Sequence, residues 1–490
     1  MPIIRLAILY ILISAGLIDP ATAQSTGLSK ETEDKIKRVE NNLSGWVKLQ
    51  DSAGGWNLQQ RMKTHNIHGV SVAVIHNYKL DWAKGYGYAD TSDKRRVTTN
   101  TLFQAASISK SLNAMGVLQL ADKKKIDIHK NINDYLISWK FPEDSFTRDT
   151  KITTAHLLSH TAGLTVHGFP GYSWQDSLPA DNEILDGKRP ANTRAVRSQF
   201  APGVRYQYSG GGTTISKKIV MDITGQEYDM YMWKQVLEPI GMSKSFYTQP
   251  PPPGAFPALA TAYGANGTEI KGKFHIYPEQ APDGLWTTPG DLARYIIEMQ
   301  LSLQGKSNKV LSKEMAATMV TPYIDKAAAL GVFIDTRGDQ KYFQHGGANE
   351  GFRCQYYGSL ENGNGVVVMV NSDNGSIIPE IINSVATVYG WKDFYKPVIK
   401  KEVKVPVAKL KTYEGEYQLG NNRFNFTARN DRLYLSQNGN NPVPVYFISD
   451  SAFFLFEVPA DLEFSGKEGK VDTLAIKQNG REYKAVKKVK

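Results

Sequence analysis

The chain carries a serine and a lysine at a spacing that suits nucleophilic catalysis. Ser107 and Lys110 lie three positions apart in the segment Ser-Ile-Ser-Lys. Residues three apart on a helix share one face, so the hydroxyl and the amine can meet. A serine hydroxyl is a poor nucleophile until a neighbouring base takes its proton, and a lysine in a partly desolvated cleft can serve as that base or tune it. In isolation the pattern also fits a helix cap followed by a solvated lysine.

Two further segments could complete such a site. Tyr208 lies just before the glycines Gly210 to Gly212, and a tyrosine beside a lysine cation can act as general base toward a serine and then as acid toward the leaving group. His345 precedes Gly346 and Gly347, which permit close approach of a substrate, and a following N–H could complete an oxyanion hole. Taken alone, the first segment also fits a buried tyrosine before a glycine turn, and the second fits a glycine turn before an edge strand.

The hydrophobic pattern predicts the elements that hold these residues. Alternation over Val70 to Val74 and again over Lys79 to Tyr88 predicts an antiparallel hairpin. Near-helical spacing of apolar residues predicts a helix over Ser107 to Ala121, buried on one side, with Ser107 at its positive dipole end. Strands return at Phe352 to Tyr357 and at Gly365 to Asn371. Strands at both ends of a long stretch, with helices between them, predict an α+β domain whose antiparallel sheet joins distant parts of the chain.

The length of 490 residues predicts two folded domains. We place the first over residues 24–399 and a linker, rich in alternating charge and valine, at 400–410. Short alternating runs over 411–490, separated by Asn, Gly and Asp, predict a small all-β barrel or sandwich. The Pro-, Gly- and aromatic-rich stretch Val166 to Gly203 predicts a lid, with a disordered insertion as the alternative.

Residues 1–23 have the pattern of an export signal. Met1 to Arg5 is weakly positive, Leu6 to Ile18 is apolar, and Ala21-Thr22-Ala23 offers a small-residue cleavage site. Asp19 and the proline after it leave an apolar run shorter than the ~20 residues that span a bilayer, which disfavours an uncleaved anchor. We therefore predict a periplasmic or secreted protein with no membrane span after signal removal.

Composition excludes several other classes of function. Cys354 is the only cysteine, so an internal disulfide and a cysteine-based zinc cluster are excluded, and we expect it to be a buried strand residue and not a nucleophile. The formal net charge of +10 is scattered, apart from short clusters at Lys123 to Lys125 and in the last residues of the chain. No aromatic residues are interleaved with these clusters, so they predict a solvated surface and no nucleic-acid partner.

In combination the motifs resemble those of a known family. Their order resembles the signature of the serine β-lactamase-related family, which includes class C β-lactamases, penicillin-binding proteins and DD-carboxypeptidases, D-aminopeptidases and related esterases. The motifs that carry the resemblance are Ser107 to Lys110, Tyr206 to Gly212 and His345 to Ala348, with the landmarks Leu157 to Leu164 and Pro282 to Thr288 between them. The family fold implies an all-helical lobe and an α/β lobe with the site between them.

The resemblance also implies roles for individual residues. Ser107 would be the nucleophile, Lys110 and Tyr208 the base system, and the N–H groups of Ser107 and Ala348 the oxyanion hole. An ester, amide or lactam would acylate Ser107 and water would then release the acyl group, with neither metal nor cofactor required. His160 could suggest a serine–histidine pair, but it lies in a landmark segment, and we expect a structural role. The residues expected to border the substrate are His345, Gly346, Gly347 and Gly210.

Two departures from the family pattern bear on the substrate. Gly210 stands where penicillin-processing relatives usually carry an asparagine that binds the substrate amide, and His345 stands where they usually carry lysine. An imidazole with an unperturbed pKa of ~6.5 is only partly charged at neutral pH, so binding of a substrate carboxylate is weakened. These departures favour esterase or D-aminopeptidase-like activity on a small-molecule or peptide substrate. β-Lactamase or DD-carboxypeptidase activity is the alternative on the same fold, and a non-catalytic binding protein or sensor is the alternative from another class.

Overall fold

The structure is a computed structural model. It describes residues 28–51, 54–439, 442–456, 458, 460–467, 470–478 and 481–488. The predicted export signal, residues 1–23, lies outside these residues. Within the described part of the chain, no helix combines the length and the apolar character needed to cross a membrane.

The helices are concentrated between the early and the late strands of the first domain. Short 3₁₀ turns occupy Ala106–Ile108, Ile132–Asp134 and Pro253–Ala258. A π-helical segment, Trp233–Leu237, lies between the helices Tyr228–Met232 and Glu238–Ile240. The α-helices of the described residues are α1 (Lys30–Glu40), α2 (Leu58–Thr64), α3 (Ser109–Asp122), α4 (Thr154–Leu158), α5 (Asp181–Asp186), α6 (Gly210–Thr224), α7 (Tyr228–Met232), α8 (Glu238–Ile240), α9 (Pro289–Leu303), α10 (Lys313–Met319), α11 (Ile377–Val388) and α12 (Val407–Tyr413).

The strands form two large sheets and two small ones. The strands of the described residues are β1 (Val47–Leu49), β2 (Gly69–His76), β3 (Lys79–Asp90), β4 (Arg95–Arg96), β5 (Phe103–Gln104), β6 (Trp286–Thr287), β7 (Phe333–Arg337), β8 (Gln340–Asn349), β9 (Phe352–Ser359), β10 (Gly365–Val370), β11 (Val398–Lys400), β12 (Gly415–Leu419), β13 (Asn422–Arg429), β14 (Arg432–Gln437), β15 (Val443–Pro444), β16 (Tyr446–Phe447), β17 (Ala452–Phe454), β18 (Asp461–Lys467), β19 (Lys470–Gln478) and β20 (Arg481–Lys487). The small sheets pair β1 with β11 and β5 with β6.

The main sheet joins distant parts of the chain, as predicted. Its seven strands have the order β4-β3-β2-β10-β9-β8-β7, and every neighbouring pair is antiparallel. The predicted hairpin is β2 and β3, and the two predicted late strands are β9 and β10. Pairing of β2 with β10, for example Val72 opposite Val368, brings residues from the two ends of the domain together.

Alternating side chains on this sheet contribute to two separate cores. Val72 of β2 and Val368 of β10 pack with α1, α2 and α11 on one face. Ala73 and Val367, the neighbouring pair on the same two strands, pack on the other face with α3, α6 and α9. The two-residue period of a strand therefore sorts its side chains between the covering helices and the helical lobe.

Helix α3 differs from the prediction in its start and in its burial. We predicted a helix that begins at Ser107 and is buried on one side. Ser107 instead lies in the 3₁₀ turn Ala106–Ile108, and α3 begins at Ser109. From Ser109 to Leu120 every residue of α3 is buried, because α3 runs through the helical lobe against α6 and α10. The polar residues of its sequence thus face protein partners and not solvent.

The stretch Val166 to Gly203 is a folded part of the helical lobe and not a disordered insertion. It contains α5, and Leu185 and Val196 are fully buried in the lobe's core. Thr165 hydrogen-bonds the backbone of Arg197 and the carbonyl of residue 195, which ties the two ends of the stretch together. Its function as a lid stays a prediction.

The C-terminal part of the chain is barrel-like. Its nine antiparallel strands have the order β15-β14-β13-β12-β20-β19-β18-β17-β16. The two edge strands of this sheet, β15 and β16, are separated in the chain only by Val445. The two edges therefore lie close together, and the sheet nearly closes into a barrel. Within the segment 400–410, where we predicted a linker, β11 ends at Lys400 and α12 begins at Val407. Leu410 and Tyr413 of α12 are buried in the barrel core. The predicted α+β class with a small all-β module is confirmed.

Candidate active site

The turn that carries Ser107 is fixed from two sides. The backbone N–H of Ala105 donates to the carbonyl of Leu285 at 2.8 Å, and β5 pairs with β6 just beside it. On the other side, the Cys354 thiol of β9 donates to the Ala105 carbonyl at 3.1 Å. A Cβ on Gly347 of β8 would lie 2.3 Å from that same carbonyl oxygen, so only glycine permits this approach. Cys354 is therefore a buried strand residue, as predicted, and burial raises the pKa of its thiol.

The backbone at Ala106 has a conformation that non-glycine residues rarely adopt. Its φ is +47°, in the left-handed region, immediately before Ser107. Ser107 follows in the 3₁₀ turn and α3 begins two residues later. The serine thus lies at the N-terminal, positive end of a long buried helix, where a developing oxyanion is stabilised.

Lys110 lies directly beside Ser107 and is almost fully buried. Its Nζ donates to Ser107 Oγ at 2.9 Å, to the carbonyl of Pro282 at 2.9 Å and to Asp283 Oδ1 at 3.3 Å. The Lys110 side chain is 2% exposed and that of Asp283 5%. Burial acts to lower the pKa of Lys110, but the Asp283 carboxylate and the Tyr208 phenol oppose it, and the net pKa lies above its ordinary value.

Asp283 is a part of this site that the sequence analysis missed. Its Oδ1 accepts a hydrogen bond from Ser107 Oγ at 3.1 Å, in addition to the one from Lys110. Its other oxygen, Oδ2, is buried and has no hydrogen-bond partner among the described residues. From the sequence, Pro282 to Thr288 was identified only as a landmark of the family. The available signal was the acidic side chain inside this landmark segment.

Tyr208 reaches the same centre from the helical lobe. The Nζ of Lys110 lies 5.0 Å from the centroid of the Tyr208 ring. The ring of His160 packs on Tyr208 with centroids 4.2 Å apart, and His160 Nδ1 accepts from the backbone N–H of Ser209 at 3.2 Å. Ser209 in turn caps α6 by accepting from the N–H of Gly212. His160 thus has the geometry of a residue that positions Tyr208, and burial holds the pKa of its imidazole well below the ordinary value.

His345 is neutral, which corrects the expectation that it is partly charged. It is 3% exposed, and its Nδ1 lies 2.6 Å from the carbonyl oxygen of Gly346, so the neutral ring carries its proton on Nδ1. Burial and the nearby Lys110 ammonium lower the pKa of His345 to about 3. This burial could not be predicted from the sequence, because two glycines follow His345 and such a motif is typical of an exposed turn.

One cleft contains most of the residues that the sequence singled out. Lys110 lies buried beneath it, in contact with Ser107. Gly210 lies elsewhere: it is buried at the start of α6, and a Cβ there would be 3.0 Å from the Phe169 ring. Tyr206 and Phe333 were not predicted as site residues. The residues that line the cleft include Ser107, Tyr206, Tyr208, Phe333, His345, Gly346, Gly347 and Ala348.

Comparison with known proteins agrees with this geometry. A family model described as Beta-lactamase matches residues 57–378, about two thirds of the chain. The chain belongs to the Beta-lactamase family. A curated relative, Protein flp of Staphylococcus aureus (strain COL), is 23% identical over 345 residues, which cover 67% of this chain and 64% of the relative. The chain thus spans somewhat less than two thirds of that relative's length. Penicillin-binding protein 4* of Bacillus subtilis (strain 168) is 21% identical over 454 residues, covering 86% of this chain and 95% of the relative.

Solved structures from the same family share the fold. The octameric penicillin-binding protein homologue from Pyrococcus abyssi has a TM-score of 0.58 and 19% identity, covering 88% of this chain and 98% of that one. A β-lactamase/D-alanine carboxypeptidase from Pseudomonas syringae has a TM-score of 0.55 and 16% identity, covering 67% of this chain and 96% of that one. At these identities the likeness establishes the fold alone.

Proposed function

We propose that this chain is an exported serine hydrolase that forms an acyl-enzyme at Ser107. The observation that carries the proposal is the 2.9 Å contact between Ser107 Oγ and the buried Nζ of Lys110, beneath a cleft that Tyr208 and Ala348 also line. A binding protein or sensor on this fold has no need of a buried cation against a serine hydroxyl. Export, to the periplasm or the medium, rests on the pattern of residues 1–23.

The proposed reaction has two half-reactions. Ser107 Oγ attacks the carbonyl carbon of the acyl donor, and the N–H groups of Ser107 and Ala348 receive the oxyanion. Lys110 and Tyr208 form the base system that takes the Ser107 proton as the bond to the acyl carbon forms and returns it to the leaving group. Collapse of the intermediate expels the leaving group, and a water molecule then attacks the ester of Ser107 and regenerates the hydroxyl.

The acyl donor that this site favours is an ester or a D-aminoacyl amide without an adjacent carboxylate. His345 is neutral and offers no cation to an anionic substrate, and the guanidinium of Arg353, which also lines the cleft, is paired with Asp373. The positive charge of Lys110 is already paired with Asp283. Gly210 offers the substrate no side-chain amide, and the ring of Phe169 lies 3.0 Å from where a Cβ at this position would be. These features support esterase or D-aminopeptidase-like activity over β-lactamase or DD-carboxypeptidase activity.

Covalent labelling tests the nucleophile. We expect a serine-directed fluorophosphonate to add one adduct to the wild-type protein, located at residue 107 by peptide mass spectrometry, and none to the variant Ser107→Ala. Ser109→Ala is the matched control, since Ser109 lies two residues away and its buried Oγ accepts from the Leu285 N–H. Equal labelling of wild type and Ser107→Ala would exclude Ser107 as the nucleophile and favour the binding-protein alternative.

A substrate panel tests the acyl donor. The purified protein is assayed with short-chain p-nitrophenyl esters, D-aminoacyl p-nitroanilides and a chromogenic cephalosporin. We expect measurable ester or D-aminoacyl turnover and slow or absent lactam turnover. The reverse order would support the β-lactamase or DD-carboxypeptidase alternative.

A further inference from the structure

The cleft that contains Ser107 continues around the edge of β8. Tyr342 of β8 packs in the core shared with α11, and Phe343 packs in the core shared with α3. The two-residue period of a strand therefore places Gln344 and Gly346 on the α11 side of the sheet. Both line the cleft together with Ser107, which lies on the α3 side, and β7 pairs with β8 only as far as Gln344. The cleft thus reaches both faces of the sheet.

A second groove lies between the first domain and the barrel. Its volume is about 690 Å³, and ligand sites of roughly 300–1,000 Å³ are common where two domains meet. Trp56, Arg61 and Asn374 of the first domain line it from one side, and Gln437 and Phe456 of the barrel line it from the other. In this interdomain groove the C-terminal module supplies part of a concave surface.

The cleft and the interdomain groove meet at Gly375, which lines both. A Cβ at this position would lie 3.3 Å from the Cβ of Arg353 and 3.6 Å from Cδ1 of Ile378, and both of these residues line the cleft. Asp373, which lines the interdomain groove, pairs with Nη1 of Arg353 at 2.9 Å. Because glycine has no side chain, the two spaces are continuous here, and a larger residue would narrow the passage.

Aromatic rings from both domains meet in the interdomain groove. The rings of Trp56 and Phe456 have centroids 5.1 Å apart and planes at 88°. Tyr446, which also lines the groove, has its ring centroid 4.5 Å from that of Phe456. Such rings provide a large apolar surface at a low cost in conformational entropy. The groove therefore suits a ligand with apolar side chains.

The arginine and the aspartate of the interdomain groove are paired within the protein. Arg61 Nε donates to Glu380 Oε2 at 2.8 Å, and its guanidinium lies 4.1 Å from the centroid of the Trp56 ring. Asp373 is paired with Arg353. Side-chain amides, which both donate and accept hydrogen bonds, also line the groove. They belong to Asn266, Asn374, Gln437 and Asn438. Paired charges, amides and aromatic rings together suit an uncharged chain of hydrogen-bonding groups and not a polyanion.

We infer that the interdomain groove binds the distal residues of a peptide whose reacting carbonyl lies at Ser107. The inference rests on the proposed function and narrows its substrate class to peptides, or peptide esters, of several residues with uncharged side chains. A peptide fits better than a glycan, because the amide or ester at Ser107 and the chain in the groove are then parts of one molecule. The path of this chain runs from Ser107 over Gly346 and past Gly375.

Substrate length tests this inference. One series of alanine- and leucine-based substrates is lengthened on the acyl side of a D-alanyl p-nitrophenyl ester, and a second is lengthened on the leaving-group side of a D-alanyl amide. An extended peptide advances about 3.3 Å per residue, so each added residue moves the end of the chain further along the path. We expect kcat/KM to rise by about tenfold or more at a defined length in one series, the factor that one further buried apolar side chain contributes.

Matched variants locate the effect. Gly375→Leu narrows the passage and should reduce the gain with length to about threefold or less, whereas Gly254→Leu, at an exposed glycine whose Cβ would meet no atom within 4 Å, should keep it. Phe456→Ala removes the barrel's ring and should also reduce the gain. Phe146→Ala, at an exposed phenylalanine that lines neither space, is its control. Thermal unfolding of each protein checks the fold.

Binding to Ser107→Ala gives the same comparison without turnover. Its affinity for the peptide amides, measured by calorimetry, should increase with length and lose that increase when Gly375→Leu is added. No dependence on length in both measurements, or an equal gain in wild type and Gly375→Leu, would overturn the inference. Competition by a neutral oligosaccharide such as cellotetraose, with no gain from peptide length, would assign the groove to a glycan and overturn it too. Length-dependent binding without labelling or turnover at residue 107 would support the groove and overturn the proposed function.

Discussion

The two walls of the cleft differ in charge. One wall, formed by the turn before α3 and by residues 282–283, carries a buried ammonium and a buried carboxylate around Ser107. The other wall, formed by β8 and the residues that pack on it, carries neutral rings, and Arg353 of the paired strand β9, which also lines the cleft, is paired with Asp373. There Phe333 and His345 have ring centroids 5.2 Å apart, and Tyr206 and Phe333 have centroids 6.1 Å apart.

This difference separates the chemistry of the cleft from its recognition of substrate. A buried charge is costly unless it is paired, and here both charges satisfy each other at the nucleophile. The facing wall offers apolar and aromatic surface, which suits uncharged groups. The charges of the cleft are thus paired, Lys110 with Asp283 and Arg353 with Asp373, which leaves little unpaired charge to attract an ionic substrate.

The largest expected effect comes from breaking the charged wall. Lys110→Met keeps the volume of the side chain but leaves the Asp283 carboxylate buried without its cation. We expect kcat/KM on the best ester to fall by about 10³-fold, since Ser107 loses the lysine of its proposed base system. Removing one partner of a buried pair costs about 3–5 kcal/mol, so the midpoint of thermal unfolding should fall as well. The double variant Lys110→Met/Asp283→Asn should be less destabilised than the sum of the two single variants, because it leaves no unpaired charge.

A second buried pair provides the control for this prediction. Lys217 Nζ lies 2.6 Å from Asp181 Oδ1 in α5, outside the cleft lining. Lys217→Met should lower the unfolding midpoint but leave labelling of Ser107 unchanged. The unfolding midpoints of wild type, the Lys110 variant, the Asp283 variant and the double variant complete the test. If the two single effects on the midpoint add up to the effect of the double variant, the charges of Lys110 and Asp283 do not depend on each other.

A smaller effect is expected from placing a charge on the neutral wall. Lys in place of His345, as Lys is found in penicillin-processing relatives, would present a cation to a substrate carboxylate. Charge-assisted hydrogen bonds contribute about 1.5–3 kcal/mol, so His345→Lys should raise kcat/KM on the chromogenic cephalosporin by about tenfold or more. Ester turnover should change by less than about threefold, because a neutral acyl donor makes no such bond. His345→Gln is the control. If both variants gain lactam turnover equally, the charge of this wall does not set the substrate.

The nucleophile and its lysine could be predicted from the sequence, whereas Asp283 could not. Ser107 and Lys110 are three residues apart, in the 3₁₀ turn and in the first turn of α3, so local geometry alone brings them together. Asp283 lies 176 residues from Ser107 and reaches it only because β6 pairs with β5. The neutral state of His345 could not be predicted either, because its burial against Phe333 and its proximity to Lys110 arise from tertiary packing.

The same limit applies to the fold. Strands with clear two-residue alternation, such as β2, β3 and β13, follow from the sequence. The segment 400–410 was predicted as linker because its charged residues give no long apolar period, yet Val407–Tyr413 is helical because Leu410 and Tyr413 find a core inside the barrel. Tyr413 stacks on Phe464 with centroids 4.2 Å apart, a contact that no local pattern reveals.

The smallest expected effect concerns a carboxyl group behind the charged wall. Glu279 is fully buried, and neither of its oxygens has a hydrogen-bond partner among the described residues. Burial, together with the neighbouring Asp283 carboxylate, raises its pKa to about 8, so the folded protein holds Glu279 neutral at pH 7. In the unfolded chain, Glu279 ionises near its ordinary pKa of 4.5. Above that pH the carboxylate must therefore take up a proton when the chain folds.

The sign of the resulting pH dependence is fixed by this difference. The contribution of Glu279 to the free energy of unfolding is fully present below pH 4.5 and is lost as the pH rises to about 8. Glu279→Gln has no proton to take up. Its unfolding midpoint should therefore exceed that of wild type by about 2–4 °C at pH 8.5 and match it near pH 4.5. An equal difference at both pH values would mean that the variant changes packing and that Glu279 does not titrate between folded and unfolded states. A gain confined to high pH would instead show that Glu279 takes up a proton on folding.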